Sequence, residues 1–136
     1  MALSYNSSLD TNLLVRLAIG DIPEQRQKVL DLLNKHPDQT FYICDVVVAE
    51  TIYVLGSNYE QTREEIREFF QGLFSVGNIH PESPYILDVL DFFVDHPALS
   101  FVDCYSAAHA EAVKKEPLLT FDRKLSKQHP SAKLLQ

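Results

Sequence analysis

Thr40-Phe41-Tyr42-Ile43-Cys44-Asp45-Val46-Val47-Val48-Ala49-Glu50 is the stretch that decides the fold. The run from Thr40 to Cys44 is uncharged and rich in β-formers, so it predicts a strand, and Asp45 then suits the N-cap of a helix from Val46 to about Leu55. A strand that feeds a helix is the repeating unit of a parallel sheet, because parallel neighbours must be joined by crossover connections.

The same alternation recurs on both sides. Upstream, a short polar strand around Tyr5-Asn6-Ser7-Ser8 is predicted to end near Leu9. A helix then starts at Asp10 to Asn12 and stops near Gly20, and a second enters at Pro23 and runs to about His36. Downstream, Thr62 and Glu65 have capping-box spacing, and Ile66, Phe69, Phe70, Leu73 and Phe74 follow the spacing of a buried helical face. A strand is expected around Val76 to His80. Ser83-Pro84 opens a helix with Ile86, Val89, Leu90, Phe93 and Val94 on one face, and an alanine-rich helix should run from Val102 to Lys115. Strands at Leu118 to Thr120 and near Ala132 to Leu135 complete the pattern. The prediction is an α/β fold with helices on both faces of a parallel sheet.

Length and composition bound the rest. A chain of 136 residues, 46% hydrophobic with 8 Phe and 6 Tyr, suits one core, so residues 1–136 are expected to form a single domain. Neither a secretory signal nor a bilayer-length apolar stretch is visible, and Cys44 and Cys104 lack metal-like spacing, which predicts a cytoplasmic protein outside the membrane. The 19 acidic and 12 basic residues sum to a net charge of -7, against a broad basic footprint for nucleic acid. An enzyme that grips phosphodiesters through divalent cations needs carboxylates at its centre, so this balance is compatible with that chemistry.

The informative feature is where charge is missing. Asp10 is the only charged residue from Met1 through Val15, Glu50 the only one between Asp45 and Glu60, and Asp103 the only one from Ala98 through Ala110. Isolated carboxylates in apolar surroundings need a cation, a hydrogen-bonding role or a water-filled cleft. With Asp122, which follows the strand Leu118 to Thr120, all four map to the strand-carboxyl edge where α/β sheets bind ligands. Two carboxylates about 4 Å apart repel by about 4 kcal/mol at an effective dielectric of about 20. A hard divalent cation offsets this, and all-oxygen ligation favours Mg²⁺ or Mn²⁺. The structural alternatives stay open: Asp10 also suits a helix cap, Asp103 an N-terminal helix charge favoured by the helix dipole, and Asp122 beside Arg123 and Lys124 a surface ion-pair cluster.

Leu9-Asp10-Thr11-Asn12, Val47-Val48-Ala49-Glu50, Phe101-Val102-Asp103-Cys104-Tyr105-Ser106-Ala107-Ala108-His109-Ala110 and Leu119-Thr120-Phe121-Asp122 resemble, in order and spacing, the four acidic motifs of PIN domains, especially VapC-like toxins. The resemblance implies a three-layer α/β/α domain with about five parallel strands in the order 3-2-1-4-5, and metal-dependent endonucleolytic cleavage of RNA. It also implies a homodimer and a VapB-type antitoxin. Asp10, Glu50, Asp103 and Asp122 match the catalytic, metal-binding positions, with Asn12 and Thr120 as polar groups supporting them. Arg16, Arg123 and Lys124 are candidates for RNA phosphate contacts. The polar first strand departs from the apolar run usual in the family.

Other readings remain at this level. A PIN-like housekeeping nuclease, a phosphoryl transferase with Asp10 as covalent nucleophile, and a non-catalytic binding module all fit the acidic pattern. His109 is expected to pack or hydrogen-bond locally, and Ala107, Ala108, Ala110 and Ala112 to let their helix lie close to the sheet. Part of the face formed by Phe69, Phe70, Phe92 and Phe93 is a candidate dimer or antitoxin surface, with core packing as the default.

Overall fold

The computed structural model describes residues 6–136. Tyr5, at the expected start of the first strand, lies outside the described residues. The chain forms two compact units, Met1–Pro84 and Tyr85–Gln136.

The first unit runs β1 (Asn6–Ser8), α1 (Thr11–Ile19), α2 (Pro23–Lys35), β2 (Thr40–Ile43), α3 (Asp45–Asn58), α4 (Arg63–Ser75) and β3 (Ile79–Pro81). Its strands form a parallel sheet in the order β1-β2-β3, with Ser8 opposite Tyr42 and Ile43 opposite Pro81. Successive strands are joined by helix pairs, as parallel neighbours require. Central β2 buries Phe41 and Ile43 completely while Tyr42 between them is exposed, the period of two expected of a strand. Leu14, Val48, Ile52, Leu55, Ile66 and Phe70 bring helical faces into this core.

Local signals explain the helix limits. Gly20, at φ 70, closes α1 in the left-handed conformation that glycine adopts without strain, and its N–H donates to the Arg16 carbonyl. Pro23 occupies the first turn of α2. At α4 both capping-box bonds form, Glu65 N–H to Thr62 Oγ1 at 3.1 Å and Thr62 N–H to Glu65 Oε1 at 3.0 Å. Helix α3 runs past the expected stop near Leu55 to Asn58, because Gly56 lies within it and does not end it.

The second unit runs α5 (Ile86–Asp95), α6 (Phe101–Ala112), β4 (Leu118–Thr120), α7 (Arg123–Gln128) and β5 (Ala132–Leu134). Strands β4 and β5 pair in parallel, Leu118 opposite Ala132. Helix α6 packs against α5 and β4; of the four alanines expected to let it lie close, Ala107 and Ala110 are buried, Ala108 is half-buried, and Ala112, at the helix end, is exposed. Phe93 and, in the first unit, Phe70 are core, while Phe92 and Phe69 are half-buried.

The α/β class with five parallel strands is therefore as expected, but the strands fall into a sheet of three and a sheet of two. Four of the five have only three residues, so each pairing rests on a few ladder bonds. The six-residue helix α7 was not foreseen; it is too short to show a periodic apolar face and buries Leu125 alone. Among the described residues no helix is long and apolar enough to cross a membrane.

Candidate active site

In the first unit the parallel register sends the carboxyl ends of all three strands to one edge. Leu9 continues the ladder by donating its N–H to the Tyr42 carbonyl at 2.9 Å, and Asp10 follows as the N-cap of α1. The exposed Asp10 carboxylate accepts the Thr11 N–H at 2.7 Å through Oδ1, leaving Oδ2 without a hydrogen bond among the described residues. Asn12 is exposed in the first turn of the same helix. Glu50 lies on α3, which packs against α1; it is exposed and makes no hydrogen bond or ion pair among the described residues. The helix-cap role weighed for Asp10 is thus real, whereas Glu50 has no such local role.

Arg16 is engaged rather than open. Its Nη1 donates to Asp21 Oδ1 at 2.5 Å and to the Tyr59 hydroxyl at 3.4 Å, while that hydroxyl donates to Asp21 Oδ2 at 3.1 Å. The hydrogen bond from Arg16 is the main cause holding the Asp21 carboxyl below its usual range, and the same bond raises the guanidinium. The arrangement ties α1, the turn after it and the end of α3 together.

In the second unit Asp103 and Asp122 head the helices α6 and α7. Asp103 completes a capping box with Ser100: its N–H donates to Ser100 Oγ at 3.1 Å, and Ser100 N–H reaches Asp103 Oδ2 at 3.4 Å. Asp122 accepts the N–H groups of Lys124 and Leu125 on Oδ1, at 2.9 and 3.1 Å. Thr120 Oγ1 in turn accepts the Asp122 N–H at 3.0 Å, so the threonine fixes the backbone that carries the aspartate. Arg123 and Lys124 are exposed and form no salt bridge with Asp122 among the described residues. The ion-pair alternative for Asp122 is therefore replaced by helix capping.

Sequence reasoning missed two acids on the strand-carboxyl edge of the first unit. Asp45 is the first residue of α3 and not its cap; Cys44 holds the N-cap position with no side-chain bond. The capping oxygen comes instead from Glu82, whose Oε1 accepts the Asp45 N–H at 2.9 Å while its own N–H donates to the Ile43 carbonyl at 3.0 Å. Asp45 is buried and accepts the Ser83 hydroxyl at 2.5 Å. Ser83 therefore does not open α5 as its position before Pro84 suggested. No local pattern announces a cap delivered from 37 residues away; the only signal was an acid directly after the third strand. His109 behaves as expected, its Nδ1 lying 2.6 Å from the Tyr85 hydroxyl.

As donors, Asp10, Glu50, Asp103 and Asp122 offer oxygen only, and each keeps an oxygen free of hydrogen bonds among the described residues. That chemistry fits a hard divalent cation and not a thiolate or imidazole site. Neither unit by itself, among its described residues, gathers three or more His, Cys, Asp or Glu side chains into an arrangement that could hold a metal.

No curated protein matches the chain. The family model of the PIN domain matches residues 8–129, a span that contains all four carboxylates. PIN domains are typically nucleases, hydrolases that generally use divalent metal ions. With most of its length matched, the chain belongs to the PIN-domain family.

Proposed function

We propose that the chain, as one PIN-like domain over residues 1–136, is a metal-dependent endoribonuclease of the VapC-like kind, the toxin of a type II toxin-antitoxin pair. The observation that carries this reading is the family match over residues 8–129 together with Glu50, an exposed carboxylate with no hydrogen bond or ion pair among the described residues. Asp10, Glu50, Asp103 and Asp122 would hold Mg²⁺ or Mn²⁺. When bound, such an ion activates water and stabilises charge on a phosphodiester.

The chain's own residues do the positioning. Capping bonds orient Asp10, Asp103 and Asp122 by engaging one oxygen of each with a backbone N–H, at Asp103 that of Ser100, so the other oxygen is held in a defined direction. Thr120 restrains Asp122, and Asn12, two residues after Asp10 in the first turn of α1, would orient a water or phosphate oxygen. Arg123, Lys124 and the remaining nitrogens of Arg16 would meet RNA phosphates. A VapB-type antitoxin, a homodimer and a cytoplasmic location belong to the same proposal.

The test is cleavage of RNA by the purified chain, freed of co-purifying protein, with Mg²⁺ or Mn²⁺. Asp10→Asn should abolish cleavage and keep the fold, because asparagine caps a helix as well as aspartate does. Full activity in that variant refutes the assignment. A second reading, a non-catalytic module, is favoured by the capping roles of the three aspartates; it predicts no Mn²⁺ binding by calorimetry and no RNA cleavage.

A further inference from the structure

Two of the alanines on α6 are not used for close packing, since Ala108 is half-buried and Ala112 exposed. Both line a cavity of about 480 Å³ whose wall comes from the second unit alone. Tyr85, Asp88, Val89 and Phe92 form one side, at the i, i+3, i+4, i+7 spacing of a single face of α5 and its cap. Cys104, Ala108, Glu111 and Ala112 form the other, again on one face of α6. With only a methyl group each, the two alanines leave open the space that larger side chains would fill. The groove follows about two turns of each helix, roughly 11 Å at 1.5 Å per residue, and its volume falls in the range of small-molecule sites.

The lining is graded from floor to mouth. Val89, Cys104 and His129 are buried, whereas Asp88 and Glu111 are exposed, and no lysine or arginine lines the groove. Among the described residues the Asp88 carboxylate has no hydrogen bond or ion pair, and that of Glu111 accepts only the Ser131 hydroxyl, at 3.1 Å. The mouth therefore carries two negative charges without a cation. His129, 6% exposed, accepts the Ser131 N–H on Nδ1 at 3.1 Å, so the neutral ring carries its hydrogen on Nε2. Burial favours that neutral form. Nε2 has no partner among the described residues, and a buried donor left unsatisfied costs about 1–3 kcal/mol. The groove thus wants a hydrogen-bond acceptor at its floor and positive charge at its mouth.

We infer that this groove binds a free amino alcohol, a small organic cation whose ammonium pairs with Asp88 and Glu111 and whose neutral hydroxyl oxygen accepts the His129 Nε2 hydrogen. The methylene stem lies against Val89, Ala108 and Ala112, and the rings of Tyr85 and Phe92 add their faces to the attraction for the cation. Other ligand classes fit less well. An amino acid would bring its carboxylate toward two acids, a simple amine leaves Nε2 unpaired, and a neutral alcohol leaves the charge at the mouth uncompensated. A lysine or arginine side chain of a partner protein enters with its charged end first, which would set the cation on the floor and reverse the polarity of the groove. The inference goes beyond the nuclease reading and uses none of its four carboxylates.

Calorimetry and NMR on the full chain test this with aminopentanol as probe, and with pentanol and pentylamine as the two halves of its chemistry. Aminopentanol should bind at a Kd in the millimolar range and shift the His129 ring resonances, and each single-function probe should bind at least about fivefold more weakly. Asp88→Asn combined with Glu111→Gln, both at exposed positions, should weaken aminopentanol about tenfold and leave pentanol unchanged. Ala112→Leu, which fills the groove from the exposed end of α6, should weaken all three probes. Equal affinity for aminopentanol and pentylamine overturns the His129 contact, and unchanged affinity in the charge variant overturns the carboxylates. Binding untouched by Ala112→Leu overturns the site. Tighter binding of N-acetyl-lysine amide marks a seat for a partner's side chain and overturns the free ligand. No binding of aminopentanol to the unaltered chain overturns the inference as a whole, and RNA cleavage is read separately from all of these.

Discussion

Glu50 and the three aspartates occupy opposite kinds of place. Asp10, Asp103 and Asp122 stand at the first turns of α1, α6 and α7, each with a backbone N–H donating to a carboxylate oxygen, or, at Asp103, completing a reciprocal box with Ser100. Glu50 stands inside α3 with neither oxygen engaged among the described residues. A carboxylate at a helix N-terminus is stabilised by its capping bond, typically about 1 kcal/mol, and by the helix dipole, about 0.3–1 kcal/mol. Glu50 draws on neither. The aspartates therefore have a folding role that would keep them in a protein without catalysis, whereas an acid at position 50 has no such support.

The largest expected effect breaks or sharpens this contrast at Glu50. Glu50→Gln should lower RNA cleavage about a hundredfold, equivalent to about 3 kcal/mol of lost transition-state stabilisation, with no measurable change in thermal midpoint. Retained cleavage would remove Glu50 from the centre, and a lowered midpoint would show that it has a structural partner after all.

A middle effect comes from Asp122, where folding and function are predicted to separate by choice of substitution. Asp122→Ala removes the acceptor for the Lys124 and Leu125 N–H groups and should cost about 1 kcal/mol in denaturant unfolding. Asp122→Asn keeps an accepting oxygen and should cost at most a few tenths, while both variants lose cleavage. Equal destabilisation by the two would undo the capping account.

The smallest effect involves none of the four carboxylates and sets a reference for pH experiments on them. His129 is buried, accepts the Ser131 N–H on Nδ1 at 3.1 Å, and packs against Phe92 at a ring separation of 4.6 Å. Burial pushes its pKa below the ordinary 6.5, Glu111 opposes the shift, and His96 adds to it. The unfolded chain then binds the proton more readily than the folded one. This contribution to stability is full above about pH 6.5 and lost as pH falls from there toward the folded pKa. Urea midpoints should therefore decline over that range, and His129→Gln should flatten the decline. An unchanged slope would mean that other groups carry it.

How much was legible varied with the distance over which each signal acts. The capping box at Thr62 and Glu65 and the glycine stop at Gly20 involve residues within one turn, and both appear as anticipated. The Ser100–Asp103 box is equally local, yet helix α6 was anticipated from Val102 and its actual cap went unnoticed. Asp45 was misassigned because its helix is capped by Glu82, brought near by the pairing of β2 with β3. Arg16 looked free for phosphate because Tyr59, one of its two partners, is 43 residues distant.

The sequence by itself determined the α/β class, the order of the five strands and of every helix but the short α7, the four acidic motifs and the family, since periodicity, caps and motif spacing are properties of neighbouring residues. Only the tertiary structure decided which carboxylates cap helices, which of the four is left without a partner among the described residues, and where the arginine is tethered. Those outcomes depend on which surfaces parallel pairing and helix packing bring into contact, and side chains far apart in the chain carry no local trace of it.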